Sequence, residues 1–323
     1  MWWLLLFLAW ASPLVAGTQL LLSASKITAP RFGEGDLDGD GQGELVVGGR
    51  VGPFRPVTDP LQGRRARIEV QIYQQGQLQT IAMLDELPVV ADIAVADIDG
   101  DGRAEILALG WHRLWTLRLE RGKLVVAGEQ ILATGRLARV DAADLDGDSR
   151  AEVILAERRQ TLGAEVVATK LGIYRYGGQW QEVSRLDLDG DVGDLCLGQV
   201  AGRPSLALEL GTEEIGGLVQ TYAFDGGLVP RWRADQQITR DHIRALNLGL
   251  RFLAGRALLV VGDIAGTVAL LQPRDGRWVG TITVVAPQGP LRGLHLTQLF
   301  DTEGVQLLGA SGLRGAVWIA DEL

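Results

Sequence analysis

The chain has 323 residues, with 31 Lys and Arg against 40 Asp and Glu for a formal charge of −9, and 47% of its positions are apolar. That is the composition of a folded globular chain, and the acidic balance excludes the positively charged face that a nucleic-acid binder needs. Forty-three glycines and 11 prolines without a Gly-X-Y period exclude collagen and helical arrays and point to a turn-rich all-β protein.

Residues 1–17, MWWLLLFLAWASPLVAG, carry an unbroken apolar run from Trp2 to Ala11, then Pro13 and small residues. The run is too short to span a bilayer comfortably, so it reads as a secretory signal peptide cleaved near Ala16 or Gly17, with retention as an anchor the alternative. No Lys or Arg precedes the apolar run, a departure from the usual n-region. The expected location is secreted, periplasmic or cell-envelope, with no membrane span after cleavage. The single cysteine, Cys196, cannot form an intrachain disulfide, and His112, His242 and His295 show no zinc-ligand spacing.

From residue 18 onward the chain repeats. GDLDGDGQGELVVGG at 35–49, ADIDGDGRAEILALG at 96–110 and ADLDGDSRAEVILAE at 143–157 each carry an acidic glycine loop, preceded by a short alternating stretch and followed by an apolar run. Three further units keep the strands and lose the acids. CLGQVAGRPSLALELG at 196–211 aligns without a gap on 95–110, and IRALNL at 243–248 matches LRGLHL at 291–296. ARIEVQIY (66–73), RLWTLRLE (113–120), KLGIYRY (170–176), LVQTYAF (218–224) and GAVWIA (315–320) supply a third strand per unit, and stretches such as LQTIAML (78–84) a fourth. Six units of about 51 residues with four antiparallel strands each predict a single β-propeller over 18–323. Seven blades with one degenerate unit and an open β-sandwich pair are the alternatives. The last unit has three strands, so TQLLLSAS (18–25) is expected to complete its sheet and close the ring.

Each acidic loop places carboxylates at positions 1, 3 and 5, a backbone carbonyl at 7 and a Glu at 9. Calcium takes six to eight oxygens at about 2.3–2.6 Å, which a tightly curled segment with several carboxylates and a carbonyl supplies. The expected ligands are Asp36, Asp38, Asp40, Gln42 and Glu44; Asp97, Asp99, Asp101, Arg103 and Glu105; and Asp144, Asp146, Asp148, Arg150 and Glu152, with Gln42, Arg103 and Arg150 acting through their carbonyls. Twelve of the 40 acids sit in these loops, so the other 28 face 31 bases and the body is slightly positive. About three Ca²⁺ would relieve the crowding. Ser149 replaces the glycine of the other two loops, which predicts weaker binding there. LDLDGDVGDL at 186–195 lacks the second glycine and the closing acid and reads as a polar turn into the fourth unit.

FGEGDLDGDGQGELVVGG at 32–49 resembles the FG-GAP or VCBS-type repeat found in integrin α-subunit heads and many secreted bacterial proteins. The resemblance implies a calcium-stabilised propeller used for recognition, most often without catalysis. A binding or adhesion module for a protein or an acidic glycan is therefore the expected function. A polysaccharide lyase or glycosidase with a site in the central channel, or an envelope assembly scaffold, is the alternative.

Loops on the face opposite the acids carry the candidate contacts. RVGPFRPVTDPLQGRR (50–65) and ERRQTLGAEVVAT (157–169) offer Phe54, Arg55, Arg64, Arg65, Arg158 and Arg159. Trp111, Trp115, Trp180, Trp232 and Trp278 are expected mostly in the core between blades. Asp141, Asn247 and His295 fall on inner strands at comparable steps and are the loose candidates for channel chemistry, with no nucleophile or metalloprotease motif beside them.

Overall fold

A computed structural model describes residues 19–21, 27–51, 65–75, 77–132, 135–160, 167–200, 202–211, 218–233, 245–253, 256–263, 267–275, 277–285, 291–297, 306–311 and 316–320. The expected signal peptide and contact residues Phe54, Arg55 and Arg64 lie outside these. So do the side chains of Trp232 and Asn247.

Among the described residues the regular structure is all strand, arranged as six four-stranded antiparallel sheets. β1 (Gln19–Leu21) comes first in the chain. The first full sheet is β2 (Ile27–Gly35), β3 (Glu44–Val51), β4 (Arg65–Gln74) and β5 (Gln77–Leu87), and the second is β6 (Asp92–Ala96), β7 (Glu105–Leu109), β8 (Arg113–Glu120) and β9 (Lys123–Ile131). The third is β10 (Arg136–Ala143), β11 (Glu152–Gln160), β12 (Val167–Tyr176) and β13 (Trp180–Asp189), and the fourth is β14 (Asp191–Val200), β15 (Arg203–Gly211), β16 (Leu218–Phe224) and β17 (Leu228–Arg233). Then come β18 (Ala245–Leu253), β19 (Arg256–Asp263), β20 (Thr267–Arg274) and β21 (Arg277–Val285), followed by β22 (Leu291–Thr297), β23 (Gln306–Ser311) and β24 (Ala316–Ala320). The short β1 adds to the edge of β24, with Leu20 opposite Trp318.

Neighbouring sheets pack face to face, and strand alternation explains how. Successive side chains on a strand point to opposite faces. On β7, Ile106 and Ala108 join the core shared with the first sheet, while Leu107 and Leu109 join the core shared with the third. On β11, Val153 and Leu155 turn back to the second sheet while Ile154 and Ala156 turn forward to the fourth. A strand covered on both faces reads as a continuous apolar run, which is why EILAL and EVILA carry no polar interruption after their glutamates. The outermost strands β9 and β13 face solvent on much of their length and alternate. Close approach of inner strands is bought by glycine: a Cβ on Gly33 would stand 2.6 Å from Val95 Cγ2.

The long second loop is shorter than expected. β11 extends to Gln160, so Arg158 and Arg159 sit on a strand that pairs with β12, Arg158 opposite Thr169 and Arg159 opposite Ala168. Pairing with β12 runs on to Gln160 opposite Val167, which continues the hairpin past the point where the charged run ERRQ suggested a loop. At 186–195 the chain ends β13, bends at Gly190 and starts β14, as a turn into the fourth sheet.

The inner strands β2, β6, β10 and β14 lie side by side. Across them runs an alternating set of charges: Arg31 Nε is 3.6 Å from Asp92 Oδ1, and Arg139 Nε donates to Asp194 Oδ1 at 3.1 Å. Burial pushes Asp194 above the usual carboxylate range despite the attraction of Arg139 and Arg31. Asp92 Oδ2 accepts the Val140 N–H at 3.2 Å, and Asp141 Oδ2 accepts the Leu197 N–H at 2.6 Å, so both carboxylates tie one inner strand to the next.

Candidate metal centre

The three acidic loops join the first and second strands of the first three sheets and share one geometry. In the first, Asp36 Oδ1 accepts the Gly39 N–H at 2.6 Å and Asp36 Oδ2 accepts the Gly41 N–H at 2.8 Å. Asp97 makes the same pair of bonds to Gly100 and Gly102 at 2.7 and 2.8 Å, and Asp144 to Gly147 and Ser149 at 2.7 and 2.9 Å. The position 5 carboxylates, Asp40, Asp101 and Asp148, each accept the N–H of the residue two further on. Such bonds hold the chain in successive Asx turns. The fourth and sixth positions have left-handed backbone: Gly39 and Gly41 have φ of 82° and 87°, Gly100 and Gly102 80° and 86°. Ser149 adopts the same conformation with φ 68°, at the cost a side chain carries there.

Carboxylate oxygens of Asp36, Asp38 and Asp40 lie within 4.8 Å of one another, as do those of Asp97, Asp99 and Asp101. In the third loop the matching group is Asp144, Asp146 and Glu152. Asp148 stands outside that group, and Glu44 and Glu105 stand outside theirs. The Glu at position 9 does something the spacing alone did not announce. Glu44 Oε2 accepts the Leu37 N–H at 2.8 Å, Glu105 Oε2 the Ile98 N–H at 3.2 Å, and Glu152 Oε2 the Leu145 N–H at 2.9 Å. All three glutamates are buried. Each locks the end of its loop to the second residue, and that second residue is driven into the core against the next sheet. Burial pushes Glu44 and Glu105 up to about 7, and the crowded aspartates push the same way.

The loops also brace neighbouring sheets. Ala104 N–H donates to the Asp36 carbonyl at 2.7 Å, and Ala151 N–H to the Asp97 carbonyl at 2.8 Å. Arg103 lies over Gly39 and Arg150 over Gly100. The residue types fit a hard divalent cation: only oxygen donors converge, they are anionic, and the cups are open to solvent at Asp38, Asp40, Asp101, Asp146 and Asp148.

Two arginines outside the loop motif reach the loops from the third strands. Arg118 on β8 bonds Asp99 Oδ2 and lies 3.0 Å from Glu105 Oε1. Arg175 on β12 bonds Asp146 Oδ2 and reaches Glu152 Oε1 at 2.7 Å. Their signal lies in hairpin register, one step beyond the pairs Ile106 with Leu117 and Val153 with Tyr174.

On the opposite face, Arg65 is exposed, Arg158 is paired with Asp191 at 2.5 Å, and the exposed Arg159 comes no closer than 3.9 Å to Asp187. Trp115 and Trp278 are buried, Trp111 lies under Arg136 at 5.3 Å, and Trp180 packs on Tyr176 at 5.1 Å between ring centroids. His295 Nε2 is 3.6 Å from Glu34 Oε2.

Residues 97–155, which span the second and third loops, match the FG-GAP-like repeat family. The fold is similar to the crystal structure of Saccharomyces cerevisiae Sqt1, with a TM-score of 0.50 over 94% of this chain and 98% of that one at 11% identity. No curated protein matches the sequence. The chain is an all-β propeller. It carries an FG-GAP-like repeat with three acidic clusters able to hold metal ions.

Proposed function

We propose that this chain is an exported, non-catalytic binding or adhesion module, a six-bladed propeller whose first three blades are stabilised by Ca²⁺. The observation that carries this reading is the threefold recurrence of one device: an aspartate cluster curls each loop, a buried Glu closes it, and the second loop residue plugs the interface to the next blade. An ion bound there stabilises both the loop and the seam between blades. Asp36, Asp38 and Asp40, with the Gln42 carbonyl, would hold the first ion. Asp97, Asp99 and Asp101 with the Arg103 carbonyl would hold the second, and Asp144, Asp146 and Glu152 with the Arg150 carbonyl the third. Glu44, Glu105 and Asp148 act at the margin of these sets.

Ring closure at six blades is supported by β1 on β24, by β22 lying against both β18 and β2, and by Leu308 of β23 packing with Phe32, Leu45 and Val47 of the first blade. The non-catalytic reading is supported by Asp141, whose carboxylate accepts the Leu197 N–H and the neighbouring Ala142 N–H. The ligand face is the one opposite the loops, with Arg65 and Arg159 as exposed cations suited to an acidic glycan or protein.

The test is a thermal melt of the full chain in calcium and in chelator, followed by a glycan and protein-ligand screen of the calcium-loaded form. Each site occupied at a hundred times its Kd adds about 2.7 kcal/mol, so chelation lowers the midpoint by several degrees. An unchanged midpoint contradicts the proposal, and hydrolysis of a screened glycan contradicts its non-catalytic part.

A further inference from the structure

The three loops are alike in their acids and unlike in what faces them. In the second and third blades a guanidinium from the third strand bridges the position 3 aspartate and the position 9 glutamate: Arg118 to Asp99 and Glu105, Arg175 to Asp146 and Glu152. In the first blade the corresponding site, one step beyond the pair Leu45 with Gln71, is Ile72. Among the described residues no basic side chain comes within ion-pair distance of Asp36, Asp38, Asp40 or Glu44. Arg103 over Gly39 does not remove the difference, because Arg150 lies over Gly100 in the same way.

We propose that Arg118 and Arg175 are resident counter-cations that hold the second and third loops in shape without a metal, and that Ile72 leaves the first loop as the site that binds divalent cation most tightly and depends on it most. This rests on the calcium reading above. A guanidinium that already engages two carboxylates competes with an incoming dication in two ways: it occupies oxygen lone pairs, and it repels the second positive charge at short range in a medium less screening than water. The same contacts neutralise part of the loop's charge when no ion is bound. Ile72 does neither. The first loop therefore gains most from the ion and loses most without it. An Ile at this place on an outward-facing hairpin is partly buried, so a longer side chain can follow the path that Arg118 and Arg175 take.

The experiment uses the full chain in four forms: unaltered, Ile72→Arg, Arg118→Leu and Arg175→Leu. Calcium is titrated by calorimetry into each chelator-stripped form, and each is melted with and without calcium. The unaltered chain is expected to show one tight site and two weaker ones, separated by about tenfold or more. Ile72→Arg weakens the tight site by a similar factor and shrinks the calcium-induced rise in midpoint. Arg118→Leu and Arg175→Leu each convert a weak site to a tight one, lower the midpoint in chelator and enlarge the rise on adding calcium. If Ile72→Arg does not fold, the two arginine variants still decide the matter. Three sites of equal affinity in every form, with equal calcium-induced rises, overturn this proposal and leave the calcium reading standing. No binding heat and no change of midpoint in any form overturn both.

Discussion

The second and fourth blades align residue for residue across their first hairpins, yet they turn the corner differently. Ala96 pairs with Glu105 and its counterpart Leu197 pairs with Leu206, so the register is the same. Between those pairs, 97–104 leave the ladder and curl into an acidic cup. In the fourth blade the ladder instead continues, with Gly198 opposite Ser205, Gln199 opposite Pro204 and Val200 opposite Arg203. Chain length is equal, so composition decides. Aspartate side chains bond the loop's own N–H groups and glycines accept positive φ, which offers the backbone an alternative to the ladder. Where the acids are absent, the ladder wins. The cup also diverts Ile98 into the inter-blade core, while Gln199 at the same place is exposed.

The contrast can be broken most severely at that plug. Ile98→Ala removes a side chain that is 1% exposed and is expected to cost about 3 kcal/mol, in the range for large-to-small core changes. Gln199→Ala should stay within about 0.5 kcal/mol, as for exposed sites without special roles. Denaturant unfolding of the two variants measures both, and equal costs would mean that the cup does not serve the seam. Next in size is Asp97→Ala, which strips the acceptor from the Gly100 and Gly102 N–H groups together with a proposed metal ligand; about 2 kcal/mol is expected in calcium, from bonds to a charged acceptor. Gly198→Ala, its counterpart, lies in the ladder and should cost less than half as much by the same measurement.

A smaller effect separates the closing glutamates. Glu152→Gln removes the charge that Arg175 meets at 2.7 Å, whereas Glu44→Gln removes a charge with no arginine against it among the described residues. In chelator, the melting midpoint should fall further for Glu152→Gln, by about 1 kcal/mol of stability, because a mostly buried partner is lost. The smallest effect is at Ser149. Relief of its left-handed φ by Ser149→Gly, less the entropy that glycine carries, leaves a gain of about 0.5 kcal/mol and a tighter third calcium site. Calorimetric titration would show the change in affinity, and a weaker site would contradict it.

The loops and the strand pattern were legible from the sequence because each rests on local chemistry. A continuous apolar run such as EILAL, following directly on an Asp-Gly cup, names both the strand and the turn. The role of the position 9 glutamates was only half legible: their spacing from Asp36, Asp97 and Asp144 announced a ligand, but the bond back to the second loop residue depends on how tightly the cup curls. Arg118 and Arg175 were hidden because they approach the loops across a hairpin. Their partners are fixed by cross-strand register, which a bulge can shift by one residue. Arg31, Asp92, Arg139 and Asp194 were hidden for a longer-range reason, since they meet only when inner strands of successive blades come together. The strand that carries Arg158 and Arg159 was not legible, because a charged run says little about where a two-sided hairpin ends.

The claim that acids convert a plain hairpin into a metal-held corner is tested most directly by hydrogen exchange of the intact chain, with and without calcium, read at the two aligned segments. The account predicts that calcium slows exchange strongly at the Gly100 and Gly102 amides within 97–104 and leaves 198–205 unchanged. Identical exchange in 97–104 with calcium and with chelator would contradict it.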